Sequence, residues 1–283
     1  RGLLTQQIDP RGEVTSYTAR VSGTPALQVV YTRDDLGRII GKGETVDGVT
    51  DTYVYGYDTA GRLSDVTKNG MPVAHYEYDP NGNRIAGSFN EQEGDLLGAD
   101  YDEQDRLRFY TTTATGRTDY EYNANGELTA KTLQSTGETT SYTYDVLGNL
   151  LSVTLPDSTL IEYVIDGQNR RVGKKVHGVL VQGFLYQDQL EPVAELDGSG
   201  NIVARFVYGS KSNIPDYLVK GGVTYRIISD HLGSPRLVVD AASGTVAQRM
   251  DFDEFGNVLA DSAPGFQPFG FAGGIYDRNT GLV

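Results

Sequence analysis

The sequence has no cysteine and no tryptophan, and only two methionines and three histidines in 283 residues. Without thiols, disulfides, thiolate nucleophiles and cysteine-held metals are excluded. That absence leaves the compartment open, although it suits an exported protein. Basic charge is also scarce: 24 Lys and Arg stand against 38 Asp and Glu, a formal net charge of −14 spread along the whole chain. Such a surface repels phosphate backbones, so a nucleic-acid partner is not expected. No apolar run approaches the roughly 18 residues that span a bilayer as a helix. The histidines, at 75, 177 and 231, share no metal-ligand spacing. What is abundant is glycine, with 35 residues, and tyrosine, with 19. Turn formers combined with an amphipathic aromatic suit β-sheet that is wetted on at least one face.

Those two residue types fall into a repeat. Tyr55-Gly-Tyr-Asp-Thr-Ala-Gly61-Arg-Leu63, Tyr76-Glu-Tyr-Asp-Pro-Asn-Gly82-Asn-Arg84 and Tyr142-Thr-Tyr-Asp-Val-Leu-Gly148-Asn-Leu150 are the cleanest copies. Tyr120-Glu-Tyr-Asn-Ala-Asn-Gly126-Glu-Leu128 has Asn in place of Asp, and looser copies begin at Gln6, Tyr31, Ala99 and Tyr163. The turn glycine or its stand-in lies at 12, 37, 61, 82, 105, 126, 148 and 169, with intervals of 25, 24, 21, 23, 21, 22 and 21. A period this even marks a repeat architecture.

Each copy has a readable chemistry. Tyrosines at i and i+2 share one face of a strand, because the strand period is two. Asp-x-x-Gly then makes a turn: the carboxylate of Asp58, Asp79 or Asp145, or the side chain of Asn123, accepts backbone N–H groups. Gly61, Gly82, Gly126 and Gly148 supply the left-handed backbone at the last position. Asp105 and Asn169 replace glycine with the residue types that best tolerate that region. Between Gly126 and Gly148 the period resolves into a hairpin whose far turn is Ser135-Thr-Gly137. Eight copies imply about sixteen strands, and at roughly 4.8 Å apart these extend about 75 Å. Twist should curve a sheet that wide. Tyrosine ladders should run between neighbouring hairpins on one face, with Gly56, Glu77, Glu121 and Thr143 on the other. The fold class is therefore all-β, tandem hairpins in a curved, spiralling antiparallel sheet.

These residues resemble the YD repeats of Rhs proteins, Tc-toxin C components and teneurins. The C-terminal part favours the bacterial Rhs branch over teneurin. Asp230-His231-Leu232-Gly233-Ser234-Pro235-Arg236, Val238-Val-Asp240 and Asp253-Glu-Phe-Gly256 look like the opening of the Rhs-associated core. Gly270-Phe-Ala-Gly-Gly274-Ile-Tyr-Asp277 and Thr280-Gly-Leu282 look like its next signature. Gly183 to Gly209, with Glu191-Pro-Val-Ala-Glu195 and Phe206-Val-Tyr-Gly209, is similar to the segment that links repeats to core. The organisation expected is YD repeats over 1–173, a degenerate repeat with linking strands over 174–224, and a truncated core domain over 225–283. The opening residues show no signal-like run, and the chain reads as a piece of a longer protein.

The resemblance implies a hollow shell that encloses a C-terminal toxin domain. Its partners would be the rest of that shell, the toxin and a secretion-system component, in a secreted or surface-displayed bacterial protein. In such proteins an aspartyl pair in Asp-Pro-x-Gly motifs frees the toxin. Here the only Asp-Pro steps are Asp9-Pro10 and Asp79-Pro80, both in YD turns. No catalysis, cofactor or metal is expected of this segment.

Alternative readings of single motifs are weaker. Asp230-His231 with nearby serines lacks a nucleophile elbow and reads as a turn. Asp197-Gly-Ser-Gly-Asn201 and Asp251-Phe-Asp253 partly match calcium-loop spacing, but Ile202 stands where such a loop needs glycine. Arg170-Arg171 and Lys174-Lys175 read as a solvated strand edge. An adhesin using its tyrosines to stack on sugars is the other functional class, but it has no need of the core segment.

Overall fold

The computed structural model describes residues 2–21, 23–88 and 94–283. Among them lie 24 strands and, as the one helical element, the single 3-10 turn Phe271–Gly273. The first sixteen strands end at Val176, the number that eight hairpins require. The chain separates into two compact units, one of residues 6–17 and 28–159, the other of 1–5, 18–27 and 160–283.

In the first unit, eleven strands from Ile39–Val46 to Leu150–Thr154 follow one another, each paired antiparallel with the next. Connections of only a few residues leave a strand no other neighbour to reach first. In such a meander every second connection lies on the same rim, which puts the turns marked by 37, 61, 82, 105, 126 and 148 together. Two opposite connections are the two-residue turns Asp47-Gly48 and Asn69-Gly70, with both residues at positive φ (51° and 79° in each). Asp-Gly and Asn-Gly favour that turn because its twist matches the strands it joins. The period of two shows clearly in the strand Met71–Tyr78, where Ala74 and Tyr76 are buried while Val73, His75 and Glu77 are exposed. Val66, Ala74 and Tyr76 form the core here, packed by Tyr53, Tyr55, Leu63 and Tyr78.

The second unit continues the pattern through ten strands, from Leu160–Ile165 to Val258–Asp261, again paired in sequence order. The motif changes read at 173/174 and 224/225 fall inside the strands Arg171–Val176 and Val223–Ser229. Its core is more conventional: Ala204, Phe206, Ile214, Leu218, Ile227, Val238 and Phe269 are all nearly inaccessible. Phe269 meets Phe206 edge-on at 4.9 Å. In the strand Pro235–Asp240, the consecutive residues Leu237, Val238 and Val239 are all buried, so both faces are covered.

Candidate functional site: stapled turns and a buried C-terminal latch

The Asp-x-x-Gly turns share one geometry. At Asp58 the backbone N–H donates to the Arg62 carbonyl at 2.8 Å, and the Gly61 N–H donates to the Asp58 carbonyl at 3.0 Å. Asp58 Oδ1 accepts from the amides of Ala60 and Arg62, while Oδ2 accepts from Arg62 Nε at 2.7 Å. The Arg62 amide, opposed by desolvation and helped by the guanidinium, holds the Asp58 carboxyl below its ordinary value. All eight markers close the same backbone loop at positive φ, including Asp105 (58°) and Asn169 (60°). Four further turns have it too, at Leu155–Thr159 (with Ser158 at φ 69°), Asp197–Asn201, Asp230–Ser234 and Asp253–Asn257. The segment weighed as a calcium loop is thus one of these turns: the Asp197 carboxylate accepts from the amides of Ser199 and Asn201 and from the Asn201 side chain.

The residue after the glycine is a partner that the sequence pattern alone did not single out. Arg38, Arg62, Arg106 and Arg170, or Asn83, Asn149, Asn201 and Asn257, donate to the second carboxylate oxygen of their own turn. Where the turn opens on Asn123, the polarity is reversed: Asn123 Nδ2 donates to Glu127 Oε2 at 2.5 Å. The swap of Asp and Arg for Asn and Glu within one copy was the available signal.

These arginines also reach the next repeat. Arg38, Arg62, Arg106 and Arg170 lie over the rings of Tyr57, Tyr78, Tyr122 and Tyr186 at 4.5, 4.7, 5.4 and 5.2 Å. The hydroxyls of Tyr57, Tyr78, Tyr101, Tyr122 and Tyr186 donate to the carbonyls of Ile39, Leu63, Arg84, Leu107 and Arg171. Each acceptor lies two residues beyond the previous turn's glycine or its stand-in. Arginine on tyrosine thus joins one copy to the next, beside tyrosine contacts such as Tyr53 with Tyr55 and Tyr110 with Tyr120. Repeat tyrosines sit on alternate strands, about 9.6 Å apart, and the guanidinium lies between one turn and the next repeat's ring. Glu77, Glu121 and Thr143 are exposed opposite, as the alternation requires, and Gly56 is half-buried.

The core-domain motif has a specific task. Asp230 Oδ1 accepts from the amides of Leu232, Gly233 and Ser234. Gly233 has φ +102°, and a Cβ there would lie 2.2 Å from Asn213 Nδ2. Asn213 uses that space to donate to the carbonyls of Leu232 and Ala272, at 2.9 and 2.7 Å. The fully buried Ser234 hydroxyl accepts the Ala272 amide at 3.0 Å. Pro235 opens the doubly covered strand, and Arg236 donates to the Met250 carbonyl and to Asp251 Oδ1. His231 is exposed at the turn tip. The motif is a socket for residues 271–273.

Beyond the socket the chain ends in a buried latch. Asp277, 4% exposed, takes Lys174 Nζ on Oδ1 at 2.5 Å and the Tyr163 hydroxyl on Oδ2 at 2.7 Å. Lys174 also donates to Asn279 Oδ1 at 2.6 Å, and Arg171 donates to the Ile275 carbonyl at 2.5 Å. Burial alone would raise the Asp277 carboxyl, but the hydrogen bonds from Lys174, Tyr163 and the Asn279 amide outweigh it and hold it low. Burial pushes the Tyr163 phenol up, so it stays a donor. The basic cluster is consequently not a solvated strand edge. Arg170 faces its turn, and Arg171 and Lys174 hold the C-terminal segment. A polar cavity of about 360 Å³ adjoins the latch, lined by Gln182, Glu195, Asp261, Gln267 and Arg278 among others.

Among the described residues, no group of three or more His, Asp or Glu side chains could hold a metal ion. His75 pairs instead with Asp65 at 2.8 Å and Glu77 at 3.6 Å, and His177 occupies a tight turn at φ 49°. No helix among them is long and apolar enough to cross a membrane.

The family described as teneurin YD-shell matches residues 2–283. Teneurin-4 of Homo sapiens is 27% identical over 287 residues, covering 99% of this chain and 10% of its own length. Toxin protein Tse5 of Pseudomonas aeruginosa is 25% identical over 340 residues, covering 99% of this chain and 25% of its own. The crystal structure of TcdB2-TccC3-Cdc42 aligns with a TM-score of 0.49 and 12% identity, over 98% of this chain and 19% of that one. The chain thus spans a tenth of the teneurin and a quarter of Tse5.

Proposed function

Because the chain belongs to the teneurin YD-shell family, we propose that it is a length of shell wall enclosing a C-terminal toxin polypeptide of a longer, secreted or surface-displayed bacterial protein. The observation that carries this reading is the staple between successive repeats. A turn arginine covers the next repeat's tyrosine, and that tyrosine's hydroxyl returns to the earlier turn. A wall built this way lengthens by adding hairpins without a separate core for each one. The similarity to a protein named as a toxin supports the bacterial reading. The socket and latch fix residues 271–279 against the wall, which the rest of the shell would extend, with a secretion-system component as an outside partner. The segment itself performs no chemistry; its task is containment.

The test is limited proteolysis of the longer natural protein. The downstream polypeptide should survive protease at concentrations that digest it when it is expressed alone, and it should co-elute with the wall after the linker is cut. Digestion at the rate of the free polypeptide would rule out enclosure.

A further inference from the structure

Three Asn-Gly steps occur in the chain, at 69–70, 81–82 and 125–126. At such a step the main-chain nitrogen can attack the preceding side chain, because glycine carries no Cβ to crowd the closing ring. All three asparagines are exposed, so water reaches each of them. Their side chains are held very differently. Asn69 is clamped: Oδ1 accepts from the Thr52 amide at 2.8 Å and the Thr52 hydroxyl at 3.3 Å, while Nδ2 donates to Asp51 Oδ1 at 2.8 Å. Asn81 has one tie, from Nδ2 to Asp105 Oδ1 at 2.9 Å. The Asn125 side chain meets no hydrogen-bond partner among the described residues, although its main-chain amide donates to Asn123 Oδ1 at 3.0 Å.

The nucleophiles weigh the other way. The amides of Gly82 and Gly126 close their turns onto the carbonyls of Asp79 and Asn123, at 3.1 and 3.0 Å, whereas Gly70 makes no such bond among the described residues. Ring closure therefore breaks one hydrogen bond at Asn125, two at Asn81 and three at Asn69, and the ties of Asn81 and Asn69 to carboxylates are the stronger kind. The joint around Asn125 is also unbraced. Its turn pairs Asn123 with Glu127, and among the described residues the next repeat's Tyr144 has neither a guanidinium on its ring nor a carbonyl for its hydroxyl. Local opening is easier where such ties are missing.

We propose that Asn125 is the wall's site of spontaneous covalent modification, converted by water to aspartate and isoaspartate through a succinimide. The Gly126 nitrogen loses its proton to hydroxide and bonds to Asn125 Cγ; the Cγ–Nδ2 bond breaks and ammonia leaves. Water then opens the ring. Addition at Cγ gives aspartate, and addition at the main-chain carbon of residue 125 gives isoaspartate, so one water is consumed for each ammonia released. Isoaspartate routes the chain through the side-chain carbon, lengthening the loop that Gly126 closes onto Asn123. Either product sets a new carboxylate two residues from Glu127, at a joint that already lacks its staple.

The full chain, held for several weeks at mildly alkaline pH, tests this by peptide mapping of amide-to-acid conversion, with isoaspartate read by enzymatic methylation. At about a factor of five per hydrogen bond, Asn125 should convert about fivefold faster than Asn81 and about tenfold or more faster than Asn69. In denaturant the three rates should converge, because the fold sets their order. Asp51→Ala removes the acceptor of Asn69 Nδ2 and should speed Asn69 several-fold while leaving Asn125 unchanged. Four results would overturn the proposal: conversion led by Asn69 or Asn81 in the folded chain, Asn125 no faster than they are, the same order persisting in denaturant, or Asn69 unmoved by Asp51→Ala.

Discussion

The Tyr78 hydroxyl donates to the carbonyl of Leu63, 2.8 Å away and fifteen residues earlier in the chain. Leu63 opens the strand that leaves the Asp58 turn, and Tyr78 closes the strand that enters the Asp79 turn. One hydrogen bond therefore measures the length of a hairpin. Arg62 lies on the same ring and donates to the Asp79 carbonyl at 2.7 Å. The turn, the ring and the next turn form one mechanical unit, and the repeat interval is the spacing that this unit permits.

The latch should be a main source of stability for residues 263–283. Lys174→Met strands a buried carboxylate and should cost about 3–5 kcal/mol, because breaking one side of a buried pair leaves an uncompensated charge. Hydrogen exchange should show residues 271–282 losing protection before the strands of the first unit. Equal loss across both units would mean that the latch is not local.

Acid should spare the fold until well below neutrality. Asp277 has a depressed pKa, so its contribution is fully present above the unfolded aspartate value of about 3.9 and is lost as pH falls through the folded value. Asp58, Asp79, Asp102, Asp145, Asp166 and Asp197 shift the same way. The unfolding temperature should be nearly flat from pH 7 to 5 and fall below about pH 4, with Asp277→Asn removing part of that fall. A decline already complete at pH 5 would place its cause in other groups.

The reversed pair at Asn123 and Glu127 invites a double-mutant cycle. Asn123→Asp alone sets two carboxylates side by side and should destabilise. Asn123→Asp with Glu127→Arg restores the arrangement of the Asp58 turn. The coupling should be about 0.5–1 kcal/mol, the scale of partly exposed ion pairs. Denaturant unfolding of the four proteins measures it, and purely additive effects would show that the reversal carries no energy.

His75 offers a signal in the opposite sense. The Asp65 hydrogen bond, against some desolvation, raises its pKa above 6.5, with Glu77 adding to the effect. Its contribution is present below the unfolded value and fades as pH rises through the folded one. The imidazole C–H resonances should titrate above pH 6.5 in the native chain and move back toward that value in Asp65→Asn. Titration at or below 6.5 in the native chain would mean that the pair does not form in solution.

The segment should also keep its intact mass through a day at pH 4 to 8, since the turn carboxylates are occupied by amides and guanidinium groups rather than paired with each other. Fragments seen by mass spectrometry would reveal an unrecognised protease.

Much of this was legible because the turns are local. A left-handed fourth residue and a carboxylate three positions earlier are demands of a single loop, and the eight evenly spaced copies spell them out. The turns at Asp197, Asp230 and Asp253 use the same spelling. They are not counted as copies of the repeat because the intervals of 31 from 169 to 200 and 33 to 233 break the rhythm, although the next, 23 to 256, keeps it. Arg62 could not be assigned to Tyr78 from sequence, because that contact depends on how three strands sit side by side. Lys174 and Asp277 are 103 residues apart, and nothing near either residue names the other. A short basic cluster in an acidic chain reads most simply as a wet edge, and that puts Lys174 with its charged neighbours.

That difference in separation has a consequence in time. Staples that span fifteen to eighteen residues can close as soon as their hairpins emerge from the ribosome, at roughly 5–20 residues per second. The wall should therefore grow in step with synthesis, each repeat templating the next, with little entropy lost in closing short loops. The Asp277 latch cannot engage until more than a hundred residues have passed Lys174, and it should be among the last bonds to form. Until then Lys174 and Tyr163 wait on a finished surface, and residues 275–279 close over them only once they have been made.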